Sequence, residues 1–306
     1  MSERAAESAP RVSVIIPAYD SDATIEGCLG ALAQQEYRDF EVIVVDSSPS
    51  RHCHDVVRTD HPWVRAVYSE RRLLPHAARN RGADLARGEI LVHTDPDVYS
   101  EPDWLARLVV AHDEGNVLVA GGMGCFGSSW FDGAVHLAKY DSWLAGSKRR
   151  RTRIAPTANL LCPRRVHREI GGFVEEWWIA DTLFSWNAAE RGYELLFEPD
   201  ATVQHHHLTS LRGLMHERWS RGREFGDLRV SHHGWGPGKR LYMLAATVLP
   251  FRLMKLMARV TRHAVAAGWS TPLLVGFPII IAAQTAWLAG EARAYASSLG
   301  RSPDPG

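Results

Sequence analysis

A chain of 306 residues, 45% of them apolar, can bury a substantial core, which excludes wholesale disorder and leaves one large domain or one domain with an appendage. Its 35 Lys and Arg balance 35 Asp and Glu, so no global charge recruits nucleic acid and none is expected as a partner. The four cysteines, Cys28, Cys53, Cys125 and Cys162, are far apart and follow no secretory leader, which predicts free thiols in a reducing compartment.

Residues 1–10 are polar and are expected to form a flexible N-terminus. Residues 12–16 predict a buried strand stopped by Pro17, and Asp22 is a candidate cap for a helix carrying Ile25, Leu29 and Leu32 on one face. Residues 40–45 predict a second strand ending at Asp46, and 64–68 a weaker third. A helix through Ala77, Ala78, Ala83, Leu85 and Ala86 follows, with Gly88 suited to a left-handed cap, and then an apolar strand leads into Asp95-Pro96-Asp97. Glu101-Pro102-Asp103-Trp104 opens another helix, and 117–120 predicts a strand. Gly121-Gly122-Met123-Gly124 has neither the Lys-Ser/Thr of a P-loop nor the G-x-G-x-x-G order, so a turn is expected there. A short helix ending at Gly171-Gly172, a helix from Asp181 to Arg191, and strands at 193–197 and 201–204 complete the pattern.

Alternating strands and helices predict an α/β fold, a Rossmann-like, mostly parallel sheet with helices on both faces, whose ligands bind beyond the carboxyl ends of the strands. The domain is expected over 11–236, divided near 125, with 237–306 as an apolar helical tail. Residues 272–289 carry no charge and sit at the lower length limit for a membrane span, while Arg252, Lys255, Arg259 and Arg262 provide a basic flank; a membrane-associated tail is expected, with a soluble helical appendage as the alternative.

Asp95 and Asp97 close a strand one residue apart, where two carboxylates can converge on a divalent cation that in turn holds a diphosphate. Taken alone such a pair is an ordinary acidic turn. Its company is more specific. Residues 12–19, 42–48, Ala78-Arg79-Asn80-Arg81-Gly82, the Asp95/Asp97 pair, Ile170-Gly171-Gly172-Phe173, Ala180-Asp181-Thr182-Leu183 and 198–205 together resemble the family 2 glycosyltransferases of GT-A fold, over about residues 11–225.

The resemblance implies a metal-dependent, inverting transfer from a nucleoside-diphosphate sugar, UDP-linked by expectation, to a lipid-linked or saccharide acceptor, with Mn or Mg as the cation. It places the enzyme at the cytoplasmic face of a membrane, the bacterial inner membrane by expectation. It implies base binding by Pro17, Ala18, Tyr19 and Asp46, donor binding by Arg79, Asn80 and Asp95, and cation binding by Asp97, Asp95 and His205. Asp181 is implied as the base that takes the acceptor proton, although it also stands where a helix N-cap is expected. Three positions depart from the usual pattern: Ala180 precedes the proposed base where an acid is common, Asp20 replaces Asn, and Ser47 replaces a second Asp. On a strand, His205 and His207 would face one way and His206 the other, so the three cannot readily share one ion. Lys148-Arg149-Arg150-Arg151-Thr152-Arg153 reads as a flexible or solvated charge run, and Arg218, Arg221 and Arg223 lie where the family lines its diphosphate side. A nucleotidyltransferase and a non-catalytic nucleotide-sugar-binding scaffold are the competing readings.

Overall fold

The structure, a computed structural model, describes residues 9–300; all but the last two residues of the expected flexible N-terminus, 1–10, lie outside the described residues. Its strands are β1 (Val12–Ala18), β2 (Phe40–Asp46), β3 (Val64–Tyr68), β4 (Ile90–Thr94), β5 (Val98–Ser100), β6 (Leu118–Cys125), β7 (Arg150–Thr152), β8 (Asn159–Pro163) and β9 (Leu195–His205). Its helices are α1 (Ile25–Ala33), α2 (His52–Asp60), α3 (Pro75–Leu85), α4 (Trp104–Asp113), α5 (Trp130–Tyr140), α6 (Arg164–Ile170), α7 (Ala180–Glu190), α8 (Leu211–His232), α9 (Pro237–Val248), α10 (Pro250–Ala266) and α11 (Ser270–Ser298). The chain forms two compact units. Among the described residues, one comprises those up to Met123 with Lys148–His205, the other Gly124–Ser147 with those from His206 onward.

In the first unit β3, β2, β1 and β4 pair in parallel in that order. Every residue of β1 and β4 is buried, which is why both read as largely apolar runs, Ser13, His93 and Thr94 apart, rather than alternating ones. Ile15, Ile43, Val45 and Leu91 pack with Ala78 and Ala83 of α3, each large aliphatic contributing roughly 1.5–3 kcal/mol through burial. Beyond β4 the sheet is mixed: β8 pairs antiparallel to β4 and β6 antiparallel to β8, and β5 and β7 each pair antiparallel to β9. The parallel expectation therefore describes the first half of the sheet, where strand and helix alternate.

Several local expectations change for identifiable reasons. β1 does not stop at Pro17. Pro17 lies opposite Val45, while pairing with β4 has already ended at Ile15 opposite His93, so its missing N–H costs no ladder bond. Asp22 is not the cap of α1; Thr24 is, and the Ser21 carbonyl accepts the N–H groups of Thr24 and Ile25 at 3.1 and 3.0 Å. Gly88 is not a left-handed cap, since α3 ends at Leu85 and is followed by Ala86 in extended backbone. It is a close-approach glycine: its N–H donates to Ser13 Oγ at 2.9 Å, and a Cβ would come within 2.8 Å of Ser13. Gly121 to Gly124 are strand, not turn, and a Cβ on Gly121 would sit 2.3 Å from the Ala201 carbonyl and the Asn159 amide.

The two strands expected at 193–204 are one, β9, because Pro199 falls between the stretch that β7 pairs and the stretch that β5 pairs. The basic run at 148–153 is not a free loop. Its centre is β7, whose Arg150 guanidinium lies 4.3 Å from the Phe197 ring centroid, while Arg149 reaches Glu198 at 2.9 Å and Arg151 reaches Glu194 at 3.1 Å. These exposed pairs each contribute at most about 1 kcal/mol, so the strand depends on β9 rather than on the charges.

The second unit is helical. Leu273 and Ile280 of α11 pack with Ala134 and Leu137 of α5 and Val260 and Ala264 of α10, and Ala283 packs with Leu214 of α8. Two buried carboxylates tie it together. Glu291 is 0% exposed and paired with Arg229 at 2.9 Å and Arg252 at 2.5 Å. Asp141, 4% exposed, accepts from Arg259 at 2.9 and 2.8 Å and meets His263 at 3.1 Å. Burial alone would raise the Asp141 carboxyl, but these partners outweigh it and hold it below its ordinary value. Two of the four residues of the expected basic flank, Arg252 and Arg259, are thus spent inside the unit.

Candidate active site

The carboxyl ends of the parallel strands form one edge of the first unit. In register, Ala18 lies opposite Asp46 and Asp46 opposite Tyr68, and β4 ends one residue before Asp95. Pro96 then closes a turn in which the Val98 N–H donates to the Asp95 carbonyl at 3.2 Å; proline at this second turn position fixes the bend. The turn leads directly into β5, whose Val98 pairs opposite His205 at the end of β9. That register brings His205 to Asp97: Nε2 and Oδ2 are 3.9 Å apart. Ligand atoms of Asp95, Asp97 and His205 all lie within 4.8 Å of one another. Two carboxylate oxygens and one imidazole nitrogen are a fitting donor set for Mn or Mg.

Arg79 on α3 is 2% exposed and its guanidinium pairs with Asp95. Its Nε is buried without a hydrogen-bond partner, leaving a donor available to an anion. Burial, with the Asp97 and Asp95 charges adding to it, pushes the Cys28 thiol well up, and the same thiol donates to the Asp95 carbonyl at 3.5 Å. Cys28 is therefore a neutral neighbour of the pair.

Asp46 is fully buried. Its Oδ1 accepts from the Ser48 N–H at 2.9 Å and the Ser48 hydroxyl at 2.5 Å, while Oδ2 has no partner. Ser48 Oγ also accepts the Asp20 N–H at 2.9 Å, where Asp20 takes a left-handed φ of 48°. Ser48 thus ties the loop after β1 to the end of β2, a link that no sequence pattern announced. The Tyr19 ring on that loop lies 4.3 Å beneath the Arg72 guanidinium.

Asn80 uses its amide on the chain itself. Nδ2 donates to the Phe173 carbonyl at 2.7 Å and Oδ1 accepts the Phe173 N–H at 2.9 Å. α6 ends, as expected, in Gly171 with φ 92°; Gly172 follows at φ 72°, and this pair delivers Phe173 to Asn80. Behind it lie the buried imidazoles His76, His93 and His167; burial drives His93 well below its ordinary value and His167 down to about 4, so both are neutral. Asp181 is not the cap of α7. Ile179 is, and Asp181 is half-buried in the first turn, with Oδ1 accepting the Thr182 N–H at 2.7 Å. A carboxylate there is stabilised by the positive end of the helix dipole.

The three consecutive histidines separate. β9 ends at His205, so strand alternation does not continue: His205 joins Asp95 and Asp97, whereas His207 meets His136 and His206 lies against Phe126, ring centroids 5.0 Å apart. On α8, Arg218 stacks 4.4 Å from the Trp287 ring of α11 and so contributes to helix packing within the second unit, whereas Arg223 lies 5.6 Å from the ring of Trp219 on its own helix.

The fold and this site agree with the comparisons. Residues 13–171, just over half of the chain, match the family described as Glycosyl transferase family 2, and the chain belongs to that family. It is a glycosyltransferase, which removes the nucleotidyltransferase and non-catalytic readings. Glycosyltransferase AglE of Haloferax volcanii is 28% identical over 205 residues, 64% of this chain and 67% of that protein. The amylovoran biosynthesis glycosyltransferase AmsB of Erwinia amylovora is 38% identical over 90 residues, 28% of this chain and 30% of AmsB, so most of that relative's length has no matched counterpart here. Among solved structures, mannosyltransferase PcManGT of Pyrobaculum calidifontis, in complex with GDP-Man and Mn2+, overlays with TM-score 0.61 at 23% identity, covering 95% of this chain and 87% of that one. This likeness establishes the GT-A fold.

Proposed function

We propose that the chain transfers a sugar from a nucleoside-diphosphate sugar to a lipid-linked or saccharide acceptor, with inversion at the anomeric carbon and with Mn or Mg at Asp95, Asp97 and His205. The convergence of those three side chains at the sheet edge that also holds Asp46 carries the reading. A cation there supplies the positive charge that a departing diphosphate requires. Asp46 Oδ2, buried and unpartnered, accepts an N–H of the nucleobase, and Pro17, Ala18 and Tyr19 wall the base. Arg79 orients Asp95 and offers its Nε to the donor, Asn80 positions the Phe173 loop on the acceptor side, and Asp181 takes the proton of the attacking hydroxyl.

UDP is the first expectation for the donor base. GDP is the second reading, because the solved neighbour that overlays nearly the whole chain carries GDP-Man. A thermal-shift panel of UDP-, GDP-, dTDP- and CMP-sugars with and without manganese tests both. One nucleotide class should stabilise the protein only with the metal, by about 2.7 kcal/mol at a ligand concentration a hundred times Kd. The proposal fails if no sugar nucleotide gives a manganese-dependent shift.

The acceptor side of the proposal includes a membrane surface at the cytoplasmic face. α11 is 29 residues long and contains an 18-residue window of mean hydropathy 1.8, apolar enough to cross a bilayer, but 39% of that window is buried within the protein. α9 and α10 meet at a 65° bend and expose Leu241, Tyr242, Val248, Leu249, Phe251 and Met254. This arrangement favours helices lying in the interface over helices spanning it. Deleting the chain after Gly236 would strip the α5 and α8 core of its partners, so point changes are the better test. In vesicle flotation the pair Phe251→Glu and Met254→Glu should cut binding at least tenfold, since each buried side chain contributes roughly 1.5–3 kcal/mol. Unchanged flotation would reject lipid contact by this face.

A further inference from the structure

The second unit contains a separate group of ligand-type side chains that the transfer reaction does not use. Cys125 at the end of β6, His136 on α5 and His207 just beyond β9 place one ligand atom each within 4.8 Å of one another. His136 Nδ1 and His207 Nε2 face each other at 3.0 Å. Tetrahedral coordination of zinc at about 2.0–2.1 Å to nitrogen separates two imidazole nitrogens by about 3.3 Å, and a sulfur at about 2.3 Å lies about 3.5 Å from each, so small shifts convert the observed group into a coordination shell.

Its surroundings are those of a built site rather than a chance encounter. His136 is 0% exposed and His207 8%, whereas Cys125 is partly open. The indole of Trp269, in the link between α10 and α11, stacks on His136 with ring centroids 5.0 Å apart and planes 18° from parallel. Tyr140 stacks on His207 at 6.0 Å and 25°. Next along each chain segment, Phe126 and His206 also meet, so the exit of β6 and the exit of β9 are joined at two successive positions. The rings are held in place from outside while the sulfur side stays reachable.

We propose that Cys125, His136 and His207 bind a thiophilic divalent cation, zinc by its donor preference, as a centre distinct from the carboxylate site. A thiolate with two imidazoles suits zinc and is a poor set for Mg or Mn, which prefer oxygen, whereas Asp95, Asp97 and His205 have the opposite bias. On binding, the Cys125 thiol releases its proton to solvent and forms the metal–sulfur bond, while the two neutral rings keep their N–H on the outward nitrogens. Three protein ligands leave a fourth position for water or an external ligand. The cation would staple the β6–α5 segment to the exit of β9, 71 residues beyond His136, and so stabilise the second unit.

The test uses the full chain, purified without chelator and passed through gel filtration. Elemental analysis should find about one zinc per chain, and replacement by cobalt(II) should give a thiolate-to-cobalt charge-transfer band. Cys125→Ser should abolish the band and weaken zinc binding by more than the roughly 10–100-fold that outer-shell changes cost, with the far-ultraviolet circular dichroism retained. His207→Gln is the second variant should the serine protein misfold. Asp97→Ala should leave zinc and band intact, which separates this centre from the catalytic one. The proposal is overturned if wild type shows neither zinc nor a cobalt–thiolate band, if both persist in Cys125→Ser and His207→Gln, or if they are lost in Asp97→Ala.

Discussion

Asp97→Ala should abolish manganese-dependent donor binding and lower turnover by roughly two to three powers of ten, the worth of several kcal/mol of charge stabilisation at a departing diphosphate. The fold should survive, because the Asp97 side chain is 33% exposed and its ion-pair distance to His205 is a long 3.9 Å. Asp95→Ala should behave differently. Asp95 pairs with Arg79, which is 2% exposed, so removing the carboxylate leaves a buried cation uncompensated at a cost of about 3–5 kcal/mol. Asp97 is thus expected to report on metal alone, and Asp95 on a smaller metal effect together with stability. Isothermal titration with UDP- and GDP-sugars in manganese, beside thermal denaturation of both variants, reads the two effects separately. Undiminished manganese-dependent binding in Asp97→Ala would remove Asp97 from the metal site.

The legible part of this molecule was the part built from local sequence. β1 to β4 and α3 announce themselves through continuous apolar runs and helical spacing, and the Asp95-Pro96-Asp97 turn carries its geometry in three residues. Most of what failed depended on partners far along the chain. β7 is a run of arginines whose strand character comes from Leu195 to Phe197 opposite it. Gly88 and Gly121 are glycine because Ser13 and Asn159 press against them, which no window around either glycine reveals. α5 was missed although Ser129 and Asp132 form a capping box, a signal present in the sequence with Asp where Glu or Gln is usual. In the site, the Asp95/Asp97 pair alone reads as an ordinary acidic turn and, like His205, points to a cation only through the family pattern, while the Ser48 link between Asp20 and Asp46 is not legible at all, since serine in a loop has too many ordinary uses. The same holds for Cys125, His136 and His207, whose spacing matches no short metal motif.

Asp181→Asn should leave nucleotide and manganese affinity near wild type while reducing turnover by roughly two to four powers of ten, the usual contribution of a general base. The structure sharpens this expectation by removing one local explanation for the residue. Ile179, not Asp181, caps α7, so aspartate is not needed at 181 to satisfy the helix end. What remains local is the acceptance of the Thr182 N–H by Oδ1 at 2.7 Å, and an asparagine oxygen can replace that acceptor. The substitution therefore preserves shape and the neighbouring hydrogen bond but withdraws the group that can take a proton. Loss of the negative charge from the first turn of α7 costs only about 0.3–1 kcal/mol, too little to unfold the unit or to imitate a catalytic defect of this size. Steady-state turnover with a saturating donor, read beside donor affinity, separates chemistry from binding. An Asp181→Asn enzyme with wild-type turnover would transfer the proton-accepting role to another residue.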